Sequence, residues 1–118
     1  MTTTAALTAA LAADAVTGTA LAGRVHAAGA TALDRLRAPY LVLAEVSDVS
    51  AEDFDGGDQR TARLQLDLYH ATLADGDALA REVLRVARGL GAVREGGFVD
   101  LAPSGLWRVS QDVTLTGE

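Results

Sequence analysis

Between residues 61 and 71 the chain reads TARLQLDLYHA, and its apolar and polar positions alternate without a break. Ala62, Leu64, Leu66 and Leu68 fall on one face, and Arg63, Gln65, Asp67 and Tyr69 on the other. Period two with that sorting predicts a strand in a sheet with one buried and one wet face. The same alternation returns in LWRVSQDVTLTG, with Trp107, Val109, Val113 and Leu115 against Arg108, Ser110, Asp112 and Thr114. YLVLAEVSD (40–48) is a β-rich run too short for an independent helix, and Pro39 before it disfavours helix at Ala38.

Two segments carry helical spacing instead. In ADGDALAREVLRVARGLG (74–91), Leu79, Val83, Val86, Ala87 and Leu90 lie on one stripe. Asp75 and Asp77 suit the positive end of that helix, Arg85 and Arg88 its negative end, and Asp77–Arg81 is an i, i+4 pair. Gly89 or Gly91 can take the left-handed position that stops it. At the start of the chain, Thr2 to Thr4 offer capping hydroxyls, and Leu7, Leu11 and Ala15 recur every four residues. One N-terminal helix is expected there, ending between Gly18 and Gly23. GRVHAAGA reads as a short strand, DRLRAP as a connection, and AVREGGFVDL as a hairpin arm turning at Gly96–Gly97. The expected fold is α+β in a single domain, 1–118: two helices packed on one face of a mostly antiparallel sheet, with a long acidic hairpin between its first two long strands.

That hairpin carries the one conspicuous charge cluster, SDVSAEDFDGGDQRTAR, with Asp48, Glu52, Asp53, Asp55 and Asp58. It is not a calcium loop. Counted from Asp53, the fifth position is Gly57, the sixth Asp58 and the twelfth Leu64, whereas an EF-hand needs an oxygen ligand, glycine and glutamate there. The two imidazoles, His26 and His70, are far apart and match no metal-ligand spacing. The serines lack a nucleophile elbow, and neither DGGD nor EGGF matches a phosphate-binding loop. No catalytic residue, metal or cofactor is expected. The chain has no cysteine, so no disulfide framework is available. A net charge of −6 disfavours nonspecific nucleic-acid binding. The first residues lack the positive region of a signal peptide, and no run approaches the roughly 18–20 apolar residues of a membrane span, so a soluble, unexported chain without membrane contact is expected. Arg81, Arg85 and Arg88 form a stripe that reads as a solvated helix face.

The order of these stretches (LAADAVTGTALAGRV, APYLVLAEVS, an acidic loop, RTARLQLDLYHAT, DALAREVLRVARGL, VSQDVTL) resembles the tail-completion or tail-terminator proteins of long-tailed bacteriophages and gene transfer agents. The resemblance covers nearly the whole chain and implies a structural role in the virion. Such proteins assemble as a ring, six copies being expected from tail symmetry, at the head-proximal end of the tail tube. There they end tube growth and offer a docking surface to the head or neck. The implied partners are further copies of the chain, the tail tube protein, the head or neck stopper protein, and double-stranded DNA that passes through the channel without specific binding. A closed ring needs unlike surfaces on each copy. Two are expected: the hairpin, with Asp48, Glu52, Asp53, Phe54, Asp55, Asp58 and Arg60, and the outer sheet face, with Arg63, Asp67, Tyr69, Arg108 and Asp112. A head–tail connector or stopper ring, and a small regulatory or ligand-binding α+β module, remain as alternatives.

Overall fold

The computed structural model describes residues 3–27, 37–50 and 60–117. Its elements in chain order are α1 (Thr3–Ala13), α2 (Ala15–Leu21), β1 (Val25–Ala27), β2 (Tyr40–Ser50), β3 (Arg60–His70), α3 (Leu73–Gly89), β4 (Val93–Leu101) and β5 (Trp107–Gly117). The five strands form one sheet in the order β1-β2-β3-β5-β4. β1 runs parallel to β2, and every other neighbouring pair is antiparallel. The fold is α+β, as the alternation of strand and helix periods predicts.

β3 sits at the centre because its alternation is the cleanest. Ala62, Leu64, Leu66 and Leu68 are all buried, and they join Leu41 and Leu43 of β2 and Val109, Val113 and Leu115 of β5. Burying each leucine stabilises the fold by about 1.5–3 kcal/mol relative to leaving it in water. Leu7 and Leu11 of α1, Leu21 of α2 and Leu79, Val83, Val86 and Ala87 of α3 close the core from the same side. α3 lies against β3 and β5, and all three helices occupy one face. Gln111 also points into this layer, and its Nε2 donates to the Ala80 carbonyl at 2.9 Å.

Three sequence expectations are corrected. The N-terminal helix is two helices, because Asp14 caps a new start: its Oδ2 accepts from the backbone N–H groups of Val16 at 3.1 Å and Thr17 at 3.0 Å. The helices meet at 95°. The corner is closed by the Thr17 hydroxyl, which donates to the Leu11 carbonyl at 2.7 Å, and by Gly18, where an added Cβ would stand 2.5 Å from the Ala12 oxygen. β4 does not turn at Gly96–Gly97 but runs straight through, with a register shift between Arg94 and Gly96. The turn comes later, where the Ala102 N–H donates to the Leu106 carbonyl at 2.8 Å and Gly105 takes φ 87°. Finally, Leu90 leaves the stripe of α3 and is exposed, because the helix stops beneath it. Gly91 takes φ 94°, its N–H donates to the Arg88 carbonyl, and the Ala92 N–H donates to the Ala87 carbonyl. That is the paired Schellman closure, which a glycine permits at no steric cost.

Candidate functional site

Cross-strand partners in an antiparallel sheet point to the same face, so the register sets out the surface opposite the helices in rows. One row is Tyr40, Tyr69, Arg108 and Asp100, the next Val42, Asp67, Ser110 and Phe98, and the third Ala44, Gln65, Asp112 and Gly96. In the first row Tyr40 and Tyr69 stack with centroids 4.7 Å apart. Arg108 donates two bonds to Asp100, from Nε to Oδ1 at 2.8 Å and from Nη2 to Oδ2 at 2.6 Å, while its guanidinium lies 5.0 Å from the centre of the Phe98 ring. The hydrogen bonds that Arg108 donates to Asp100, and then to Tyr69, hold it firmly in its charged form.

The expected outer-face residues therefore have different environments. Tyr69 and Arg108 are brought together. Arg63 is exposed and lies 3.9 Å from Asp112, a weak diagonal pair open to solvent. Asp67 is not on a wet surface: it is only 8 % exposed, and Ser110 beside it 2 %. The Gln65 amide lies across Asp67 and donates to both its oxygens at 3.0 and 3.1 Å. Short polar side chains in a middle row lie below the taller side chains beside them, which strand alternation alone does not reveal. Of the hairpin set, Asp48 pairs in register with Ala62 and Arg60 with Ser50 and Gly117. Glu52, Asp53, Phe54, Asp55 and Asp58 lie outside the described residues.

β4 contributes what the sequence reading missed. It is an edge strand, paired among the described residues only with β5. It exposes apolar side chains on both faces: Val93, Phe98, Val99 and Leu101 are 48–59 % accessible. The same nine-residue edge carries three charged residues, Arg94, Glu95 and Asp100, of the kind that guard natural edges against pairing. Placing the turn at Gly96–Gly97 hid the alternation of Phe98 and Asp100 against Val99 and Leu101. The turn dipeptides of LAPSGLW were the signal that would have revealed it.

Between α3 and β4 lies a cleft of about 310 Å³, lined by Arg81, Leu84, Arg94, Phe98, Val99 and Gln111 among others. Arg81 is bonded to Asp77 at 3.0 Å, and the Gln111 amide is committed to Ala80. The lining offers one hydroxyl, Ser110, and no imidazole to activate it. Among the described residues no three histidines, aspartates or glutamates gather to hold a metal ion, and no single helix is long and apolar enough to cross a membrane.

Two carboxylates at the edges of the fold are held below the usual range. Asp14 is lowered first by the Thr17 N–H and then by Arg85, whose Nη2 donates to it at 2.9 Å; Asp100 is lowered by the hydrogen bonds of Arg108. A lowered pKa in the folded state stabilises the fold at every pH above the unfolded value, about 3.9, and the gain is lost as pH falls through the folded value. Thermal unfolding followed against pH tests this. Asp100→Asn should melt slightly below wild type at neutral pH, the pair being open to solvent, and converge with it in acid; a gap that persists in acid would place the loss elsewhere.

The family described as tail completion protein gp17 matches residues 5–104. A chain in the virion of a native gene transfer agent (GTA) particle has the same fold, with a TM-score of 0.77 at 17 % sequence identity, covering 97 % of this chain and 92 % of that chain. No curated protein matches the sequence.

Proposed function

Because the chain belongs to the tail completion protein gp17 family, whose match spans residues 5–104, we propose that it ends the tail tube. The resemblance drawn from the order of sequence stretches agrees with that membership, and the chain is a structural component of a phage-like tail. In our reading, copies form a ring, six by tail symmetry, at the head-proximal end of the tube. The ring stops further addition of tube protein and offers its other side to the head or neck stopper protein, while duplex DNA passes through without specific contacts. The chain is made in the bacterial cytoplasm and then becomes part of the particle.

Family membership carries this reading, and the surfaces support it. A protein that works by capping a polymer needs unlike faces on one rigid body rather than a reactive centre. The helix layer, the row of Tyr69, Arg108 and Asp100 on the opposite face, and the apolar β4 edge are three such faces. An acidic protein around a channel would also repel phosphate and let the duplex slide.

Electron microscopy of particles made without the gene tests the proposal. Over-long tails, separated from heads, are expected. Tails of normal length without heads would place the protein in head–tail joining instead. Normal tails attached to heads would overturn a role in the tail's completion.

A further inference from the structure

The helix layer does not cover the whole sheet. α3 lies against β3 and β5, and the cleft beside it runs along the helix-facing side of β4. Val99 points into that cleft and is 48 % exposed, with Leu84 of α3 opposite and Val109 on the floor. The charges of the lining run against those of the chain. They are two arginines, Arg81 and Arg94, against one aspartate, Asp77, in a protein of net charge −6. The acids of β4 take no part, because Glu95 bonds to Thr114 and Asp100 to Arg108 on the other face. Arg81 is paired with Asp77, whereas Arg94 is exposed and makes no ion pair among the described residues. Gly97 makes room for it: a Cβ there would stand 2.9 Å from Arg94 Nη2. An unpaired guanidinium therefore lies across one wall of an apolar cleft.

We propose that this cleft receives the acidic segment 52–55 of a second copy, with Phe54 between Leu84 and Val99, and Asp53 and Asp55 against the two arginines. The inference rests on the tail reading for its setting, but it names a contact that family membership does not. Glu-Asp-Phe-Asp sets one aromatic among carboxylates, the complement of an apolar cleft rimmed by guanidinium groups. The segment cannot be that of the same copy. Ser50, Arg60 and Gly117 stand at one level of the sheet, whereas Gly97 is opposite Gln111, six residues back along β5, and three strands away from β2. At about 3.4 Å per residue and about 4.8 Å per strand, Gly97 lies about 25 Å from Ser50, while the four residues to Phe54 span at most about 14 Å. Each copy thus offers a tip that its own cleft cannot use, and the contact is heterologous, as a ring requires. Glu52 and Asp58 stay outside the cleft and are free to meet the tube or neck.

Charge exchange in assembling particles tests the contact. Arg94→Glu should melt like wild type and yield no completed particles. Asp53→Arg with Asp55→Arg should fail in the same way, and all three changes in one chain should restore completion. Normal completion with Arg94→Glu would overturn the proposal, and so would a triple variant that stays defective, which would assign the tip to the tube or neck protein alone. Geometry is tested separately. The chain has no cysteine, so Gly56→Cys and Asp77→Cys supply the only thiols, one beside the tip and one on the cleft, and leave Phe54 and both arginines in place. Particles containing the double variant, treated with a short bismaleimide, should give a ladder of linked subunits, and either single variant none. Particles that contain it and give no ladder would overturn the contact while leaving the tail reading intact. Absence of the unaltered chain from purified particles would overturn the tail reading. In that case, or if the double variant does not enter particles, it is linked in concentrated solution: a ladder there supports the contact and unlinked monomers refute it.

Discussion

Removing residues 51–58 should leave a folded protein that no longer completes particles. The fold tolerates the cut because β2 and β3 are held in register along their whole length, from Tyr40↔Tyr69 to Ser50↔Arg60, and β3 is held again by β5. The deleted stretch joins two strand ends that already pair. After the deletion Gln59 alone would link Ser50 to Arg60, which is too short for a hairpin, so one pair opens and Ser50, Gln59 and Arg60 form a three-residue connection. Losing one terminal pair while shortening the loop changes stability by well under about 1 kcal/mol either way. Function is another matter. The segment carries Glu52, Asp53, Asp55 and Asp58 around a single aromatic, Phe54. Four carboxylates in seven positions repel one another and gain nothing for an isolated fold, whereas they suit a contact with a basic surface on a tube or neck protein. Circular dichroism and a melting curve should match wild type, and electron microscopy should show no completed particles. Normal assembly with the deletion would show that residues 51–58 make no required contact.

How far residue patterns reach is visible element by element. The leucines of β3 and the stripe of α3 from Leu79 to Ala87 follow their own periods and are where the pattern puts them, because burial of one face is decided locally once the period is set. The N-terminal pattern misleads for a definable reason. Leu7, Leu11 and Ala15 keep a four-residue rhythm across Asp14, but a side chain that accepts two backbone N–H groups can start a helix more effectively than it can continue one. Gly96–Gly97 misleads in the opposite way. Two adjacent glycines favour a turn in a free chain, and the ladder with β5 overrides that preference through pairs on both sides of them. The outer face is harder still. Whether Asp67 is wet depends on the Gln65 amide and the tall rows beside it, which come from three strands and are not adjacent in sequence. The edge role of β4 is a matter of strand order, 5 before 4, and no single segment contains that information.

Leu66→Ala should be the most damaging single substitution among the strand positions. Leu66 is 1 % exposed at the middle of the central strand, with Leu43 on one side and Gln111 on the other. Removing its outer carbons leaves a cavity that neither neighbour can fill readily, since Gln111 is tied to the Ala80 carbonyl of α3. Leucine-to-alanine changes of this kind cost about 2–5 kcal/mol. Against a total stability of about 5–15 kcal/mol for a domain, that is a large share. It corresponds to a melting point lowered by about 10–20 °C for a chain of this size. Arg63→Ala, three positions earlier on the opposite face, is the control. Its side chain is half exposed with one loose partner at 3.9 Å, and its loss should fall within about 0.5 kcal/mol. A Leu66→Ala cost below about 1 kcal/mol would mean that α3 settles onto the sheet and closes the hole. The same variant separates folding from assembly. Its contact surfaces are unchanged, so particles should be completed at low temperature and fail on warming, whereas removal of 51–58 should fail at every temperature. The difference follows from where each change acts, one on the depth of the folded state and the other on what the folded state presents.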